Sequence, residues 1–475
     1  MKPGRTWNEV ILTTWEGSDA PAIVTEDRIW NGVELLAWAG GAAAWLDELG
    51  FAPGAIVPAI IDESPSAIAL AVGAALSGRA LAPLSTKMPV GDLVGVLERL
   101  GSIAVIAEPK TLALASDAAA KLGISACNTI DMPDNGPLPR VEVTPDTVCA
   151  VIHTSGTTGN PKPVMVTQGR ILPRVKYYHD VVPMGPGDRW YTASPFSHTA
   201  GCGLDLCVLA MGAAIIPQDW FTVESWSRAG GLGLTTALLV VTMIDMLLAQ
   251  DKLTDAHPKQ IVYGAMPIHP DTLAAAIAAL PDTRFVNVFG QTEVSPISAM
   301  THEDHLKAVN GRPELLLSVG RAQPGIELRV ENPDKDGIGE ITIKAPHAFV
   351  KDDDGWRRTG DLGVIDDEGY VFLRGRMNDR IIRGGENIFP TEIENVIVKH
   401  PKVKEVAIVG QPDRKWGEVV KAVIVAEDPS DLPDTDEITQ LCREQLLRFK
   451  VPTVYEFIGE LPRNPAGKVL RRKLI

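Results

Sequence analysis

Ten consecutive residues, His153-Thr154-Ser155-Gly156-Thr157-Thr158-Gly159-Asn160-Pro161-Lys162, concentrate four hydroxyls, two glycines and one lysine in a single short stretch. Glycines let successive backbone N–H groups point into one concavity, and the lysine adds a full positive charge. That is the chemistry of phosphate binding. The apolar run from Val148 to Ile152 reads as a buried strand feeding the turn. In a Walker loop the lysine directly follows the second glycine and precedes Ser or Thr. The different spacing here weakens kinase-like and GTPase-like readings. Ser/Thr/Gly tracts are often plain surface loops, so the weight falls on motifs further along the chain.

A loop of this kind needs a scaffold, and the chain is long enough for more than one. Its 475 residues, 45% apolar and 22% charged, predict a globular protein of two or three domains. Five cysteines (Cys127, Cys149, Cys202, Cys207 and Cys442) are scattered without a CxxC pair, which suggests neither a disulfide framework nor a zinc site. A net charge of −15 argues against nucleic acid or an anionic membrane as partner. Met1 to Glu9 lack the apolar run of a secretion signal, and Leu206 to Pro217 is too short to span a bilayer. No membrane span and a cytoplasmic location are expected, with a homodimer as the commonest assembly.

Between Ala55 and Glu108 the pattern alternates: strand Ile56 to Ile61, helix Ser66 to Leu76, strand Ala80 to Leu84, helix Asp92 to Leu100, strand Ile103 to Ala107. Such alternation predicts a parallel sheet covered by helices. It resumes from Cys149 to Phe289, with Ala237 to Val241 and Phe285 to Val288 as buried strands, so two α/β layers are expected. Beyond about Asn310 short strands and tight turns take over, among them Gly339 to Ala345 and the hairpin turn Asp366 to Gly369. After Arg376 comes an α+β unit. Thr391 to Glu394 reads as a capping box opening a helix. Strands Glu405 to Val409 and Val419 to Val425, a helix from Asp436 to Phe449 and a strand near Val454 to Ile458 complete it. The fold class is therefore α/β: a large domain over residues 1–377 with a β-rich subdomain, then a small mobile α+β domain over residues 378–475.

Further motifs come after the loop in order: Pro195-Phe196-Ser197-His198-Thr199-Ala200-Gly201, Phe289-Gly290-Gln291-Thr292-Glu293, Arg358-Thr359-Gly360-Asp361, Gly375-Arg376, Arg383-Gly384-Gly385-Glu386-Asn387 and Pro465-Ala466-Gly467-Lys468. Together with it they resemble the adenylate-forming superfamily of acyl-CoA synthetases, non-ribosomal peptide adenylation domains and luciferases. The resemblance spans nearly the whole chain, and the ordered set is specific where any single motif is weak.

The resemblance implies an enzyme that activates a carboxylic acid with ATP as acyl-AMP and then passes the acyl group to a thiol. Both steps gather anions, so positioned cations and N–H donors are the expected tools. Thr154, Ser155, Gly156, Thr157, Thr158, Gly159 and Lys162 would wrap the β- and γ-phosphates. Thr292 would meet the α-phosphate, and Glu293 with Thr158 would hold Mg²⁺. Phe289 would stack on adenine beside Gly290 and Gln291, with Gly264, Ala265 and Met266 on the other face. Asp361 would accept both ribose hydroxyls, supported by Arg376. Lys468 would bridge the substrate carboxylate and the α-phosphate; opposite charges at about 4 Å in a partly screened site interact by roughly 4 kcal/mol. His198 would gate the acyl pocket. Gly384, Gly385 and Glu386 would form the CoA tunnel once the small domain turns about Asn378.

The pocket expected by analogy, His198, Cys202, Leu204, Val241, Thr242, Met243, Gly264 and Val294, is mostly apolar. It favours an aryl, alicyclic or medium acyl acid over a free amino acid. Departures from the family pattern are Pro163 after the loop lysine, Gln168 and Arg170 in place of a His-x-Asn, Phe289 for a tyrosine and Asn378 at the hinge. Three readings are open. The first is an acid:CoA ligase using ATP, Mg²⁺ and CoA. The second is an adenylating enzyme serving a carrier protein or a non-thiol nucleophile such as an amine or nitrite. The third is a non-catalytic nucleotide-binding protein on the same fold.

Overall fold

The computed structural model describes residues 5–154, 162–264, 268–350, 352, 354–463 and 469–475. It divides into two compact units: residues 1–327 with 344–357, and residues 328–343 with 358–475.

The first unit holds two sheets. One has six strands in the spatial order Ser125–Asn128, Ala104–Ala107, Ile56–Ile60, Ala80–Leu84, Val148–Thr154 and Lys162–Thr167. All neighbours are parallel except the last pair, a hairpin. Strands buried on both faces read as continuous apolar runs, and Ala80–Leu84 is buried at every position. The other sheet has nine strands. Its central four, Arg284–Gln291, Gln260–Gly264, Thr236–Val240 and Arg189–Thr192, lie side by side and parallel. The expected pair of α/β layers is thus present.

Between the layers run helices that are apolar all round, as fully buried helices must be. Pro65–Leu76 starts on the Ser64 hydroxyl, which accepts the Ala67 N–H at 3.1 Å, and is buried from Ala67 to Leu76. Cys202–Met211 is buried from Cys202 to Ala210. Two buried indoles fasten the N-terminal helix Trp7–Trp15 to it, Trp7 donating to the Leu206 carbonyl at 2.8 Å and Trp15 to that of Leu209 at 2.9 Å.

In the second unit a four-stranded sheet runs Glu327–Glu331, Gly339–Lys344, Arg357–Ile365 and Val371–Arg376. A five-stranded sheet is built on the long hairpin Val403–Asp413 and Gly417–Ala426. The helices Pro390–Ile397 and Thr435–Gln445 contribute Ile393, Ile397, Ile438 and Cys442 to the core of this unit.

Two local expectations change. No capping box opens the helix at Thr391: it starts at Pro390, whose missing N–H needs no partner at the first helical position. The Glu394 carboxylate is used elsewhere, accepting the Ile408 N–H at 2.8 Å and pairing with Arg471. The last helix stops at Gln445 instead of reaching Phe449, because Leu446 turns extended and the chain leaves the helix to lay Phe449 and Val451 on the core.

One close approach decides whether the central strands can pair. Gly264 lies opposite Val288, and a Cβ at Gly264 would sit 2.5 Å from the Val288 carbonyl oxygen. Backbone cannot yield as a side-chain tip can. Gly264→Ala is expected to cost about 2–3 kcal/mol of stability, read as a lowered urea midpoint. A wild-type midpoint would show that the strands tolerate the methyl.

Candidate active site

Parallel strands send all their carboxyl ends to one edge, and open α/β sheets bind ligands along that edge. Here the four central strands end at Thr192, Val240, Gly264 and Gln291. The chain segments leaving them are 193–201, 241–243, the one beginning at Gly264, and 292–293. Those segments contain His198, Val241, Thr242, Met243, Gly264, Thr292 and Glu293, with half-buried Phe289 and Gln291 and exposed Gly290 closing the last strand. Sheet topology therefore gathers residues far apart in sequence along one rim. Val241, Cys202, Leu204 and Val294 are 4%, 1%, 3% and 0% exposed, and Cys202 and Leu204 belong to the main core.

Thr292 and Glu293 form the two-residue turn between Arg284–Gln291 and Val294–Met300, closed by the Gln291–Val294 pair. Gly290 is needed there, since a Cβ would lie 2.6 Å from the Ser295 hydroxyl. The turn is anchored from a second direction. The Glu293 carbonyl accepts the Phe349 N–H at 2.9 Å, and Arg170 donates to the Phe349 carbonyl at 3.0 Å and that of Ala348 at 3.4 Å. Arg170 is thus a brace on the 348–349 backbone. The Glu293 carboxylate faces Arg357 at 3.6 Å.

Of the ten-residue stretch, His153, Thr154 and Lys162 are described; the last two close the loop. They are cross-strand partners at the mouth of the hairpin, and the Thr154 hydroxyl lies 3.4 Å from the Lys162 carbonyl. Ser155, Gly156, Thr157, Thr158 and Gly159 lie outside the described residues, as do Ala265, Met266 and Lys468. His153, which opens the stretch, is held down to a pKa of about 4 by burial and the positive charge of Arg99. Gln168 is fully buried and pairs with Asn8 in both directions, at 3.0 and 2.8 Å.

His198 sits in a tight turn: its N–H donates to the Pro195 carbonyl at 2.9 Å and its carbonyl accepts the Gly201 N–H at 3.1 Å. Gly201 must lack a side chain, as a Cβ would lie 2.5 Å from the Pro195 carbonyl oxygen. Burial lowers the His198 pKa, so the ring is neutral at physiological pH. Under this segment, Arg174 is fully buried and donates to the Thr199 carbonyl at 3.3 Å.

Two carboxyls escape sequence reasoning. Glu63 and Asp205 are 2% exposed, and their oxygens have no close, well-aligned hydrogen bond among the described residues; only the Gln218 backbone, for Glu63, and the Trp190 indole, for Asp205, partly offset the burial. Burial pushes both well above the usual carboxylate range, and Asp205 raises Glu63 further. Asp205 lies inside an apolar helical run, and no sequence signal separates it from a solvated acid.

In the second unit, Asp361 is 5% exposed and pairs with Arg376, Nε to Oδ1, at 2.9 Å. Arg376 also donates to the Thr359 carbonyl at 3.0 Å, and the Thr359 hydroxyl accepts the Asp361 N–H at 3.0 Å. The aspartate is thus fixed from two sides. Gly384 and Gly385 form the turn joining Ile381–Arg383 to Glu386–Ile388, with φ of +60° and +91°. Trp416 packs so near that a Cβ on Gly384 would touch its ring at 2.9 Å. Glu386 is exposed, and Asn378 lies in the short turn Met377–Asp379.

Known proteins share both the sequence pattern and this architecture. Residues 14–350 match the family model described as AMP-binding enzyme, and residues 392–468 match the AMP-binding enzyme C-terminal domain. The chain is 31% identical to the fatty acid–[acyl-carrier-protein] ligase ScoC of Streptomyces coeruleorubidus, over 96% of this chain and 92% of that protein. It is 32% identical to the indoleacetate–CoA ligase of Aromatoleum aromaticum, over 69% of this chain and 67% of that protein. Among solved structures, the amide bond synthetase McbA from Marinactinospora thermotolerans superposes with a TM-score of 0.86 at 26% identity, covering 98% of this chain and 99% of that one.

The charges make two predictions. Arg376→Met strips a nearly buried carboxylate of its partner; with Arg376 itself 39% exposed, solvent screening limits the loss to about 2 kcal/mol. A lowered melting temperature with weaker nucleotide binding is expected, and neither change would deny the pair its role. For Glu63 and Asp205, folded pKa values above the unfolded ones mean that unfolded carboxylates ionise first as pH rises. Stability then declines upward from about pH 4–5. Glu63→Gln or Asp205→Asn should flatten that decline between pH 5 and 8, and melting curves parallel to the wild type would contradict it.

Proposed function

Since the chain belongs to the AMP-binding enzyme family and is an AMP-forming ligase, we propose that it activates a carboxylic acid with ATP and then transfers the acyl group to the thiol of CoA. In the first step a carboxylate oxygen bonds to the α-phosphorus and the bond to the β-phosphate breaks, releasing pyrophosphate and leaving acyl-AMP. In the second the thiol adds to the acyl carbon and AMP departs.

The observation that carries this reading is the shared rim of the parallel sheet. It collects Gly264, Phe289, Thr292 and Glu293 beside the His198 segment. Phe289 would take the adenine, Thr292 the α-phosphate, and Thr154, Lys162 and the intervening residues the outer phosphates. Asp361, held by Arg376, would take the ribose hydroxyls as an acceptor-only group. Mg²⁺ is commonly held by one or two carboxylates plus substrate phosphates, and a lone Glu293 on a turn suits that mode. The ion would neutralise phosphate charge. Lys468 would supply the mobile cation, with residues 378–475 turning about Asn378 and the Gly384–Gly385 turn lining the path of the thiol.

The segments 193–201 and 241–243 carry no acidic side chain to meet an α-ammonium, which favours an aryl, alicyclic or medium acyl substrate over an amino acid. A second reading transfers the acyl group to a carrier protein or an amine. It is favoured by the names of ScoC and the amide bond synthetase, relatives as near in sequence or fold as the CoA ligase.

Carboxylate-dependent pyrophosphate exchange over an acid library tests adenylation, and adding CoA tests the acceptor. Exchange with acyl-CoA formation is the expected outcome. Exchange without thioester moves the assignment to the second reading, and its absence across the library favours a non-catalytic role. Lys468→Ala should lower exchange by at least about 100-fold, the equivalent of roughly 2.7 kcal/mol of barrier; wild-type exchange would remove Lys468 from the mechanism.

A further inference from the structure

One arginine faces the Glu293 side chain, and another braces the backbone that holds its turn. Arg170 works on the backbone: it holds the Ala348 and Phe349 carbonyls, and the Phe349 N–H holds the Glu293 carbonyl at 2.9 Å. Arg357 works on the side chain. Its guanidinium is 3.6 Å from the carboxylate, outside hydrogen-bond distance, with the two side chains 23% and 22% exposed. The Arg357 Nε is buried and has no hydrogen-bond partner among the described residues.

We infer that Arg357 is a positioning residue that serves as the resident counter-ion of Glu293, compensating the carboxylate until a divalent ion arrives with the nucleotide and competing with that ion for it. The inference rests on the reading of Glu293 as the metal-holding carboxylate and goes beyond it by assigning the group that sets how tightly the metal is held. The length of the contact matters. A hydrogen-bonded, bidentate arginine would occupy both oxygens, whereas a guanidinium at 3.6 Å supplies charge while leaving the carboxylate able to turn toward an ion. When it turns, the peptide stays put, because Phe349 and Arg170 hold the turn independently of the side chain. Holding a divalent ion would therefore cost Glu293 a charge contact and leave the scaffold in place.

Exchanging one partner of a carboxylate for another shifts affinity by the strength of the contact given up. A half-screened pair of this kind is worth up to about 1 kcal/mol, close to fivefold in a binding constant. The test uses the full chain, Mn²⁺ as the probe and a non-hydrolysable ATP analogue, with bound Mn²⁺ monitored by electron paramagnetic resonance. Arg357→Met should tighten Mn²⁺ about fivefold, while Arg357→Lys, which keeps the charge, should stay within about twofold of the wild type. Arg357→Gln serves as a second neutral variant if the methionine variant fails to fold. Unchanged or weaker Mn²⁺ binding in the folded neutral variants overturns the inference. Glu293→Gln separates the two levels: weakened Mn²⁺ here with no change on neutralising Arg357 overturns the counter-ion role alone. Unweakened Mn²⁺ in Glu293→Gln removes the metal-holding role of Glu293 and the inference with it.

Discussion

The parallel register of four strands governs where every other group in the first unit can act. Hydrogen bonding between Arg189–Thr192, Thr236–Val240, Gln260–Gly264 and Arg284–Gln291 fixes their carboxyl ends at one rim. Residues nearly a hundred positions apart in sequence, from His198 to Glu293, leave the sheet there. The register depends on backbone approaching backbone at Gly264 and Val288, a contact only glycine permits. Catalytic and binding groups on loops gain their precision from a rigid scaffold beneath. The scaffold here is the pair of helices Pro65–Leu76 and Cys202–Met211, buried over nearly their whole length between two sheets.

Electrostatics supplies the second constraint. A chain with a net charge of −15 must gather polyanions against its own field. The two acids proposed to recognise nucleotide and metal do not stand bare: Asp361 is paired with Arg376 and Glu293 faces Arg357. The two pairs differ in kind. Asp361 is held by a direct hydrogen bond at 2.9 Å and a fixed backbone, as a group that must present its lone pairs in one orientation requires. Glu293 faces its arginine across a looser 3.6 Å gap while its backbone is anchored separately, as a group that exchanges partners requires.

Much of this architecture is legible in the sequence. The run Ala80 to Leu84 reads as a strand because a fully buried parallel strand is a short continuous apolar stretch, and the structure returns the same bounds. The motif order points to the rim residues without any geometry. What escapes has physical causes. Thr391 has the spacing of a capping box, yet Pro390 begins the helix and Glu394 is claimed by Arg471 and the Ile408 N–H, partners a local pattern cannot contain. The final helix stops at Gln445 because Phe449 and Val451 are needed in the core, a tertiary demand that overrides local propensity. Arg170 spends its donors on carbonyls 178 and 179 positions away, which no local pattern shows. Arg357 lies one residue outside the Arg358-Thr359-Gly360-Asp361 motif, and only the fold brings it to Glu293.

The acceptor is the point at which fold and chemistry part. A carrier-protein ligase and a CoA ligase are similar to this chain in sequence, and an amide bond synthetase in fold, so the scaffold alone does not choose among thiol and amine nucleophiles. All three acceptors would attack the same acyl carbon, so the rim proposed to carry adenylation could stay constant while the approach to it varies. On this chain that approach would run past the Gly384–Gly385 turn, where Trp416 packs against the glycine face and is itself 44% exposed. Both glycines have positive φ, and the indole leaves no room for a side chain on Gly384. A thin pantetheine arm suits such a passage in free CoA and on a carrier protein alike, so on the proposed path the discrimination between them would fall to surface beyond the passage.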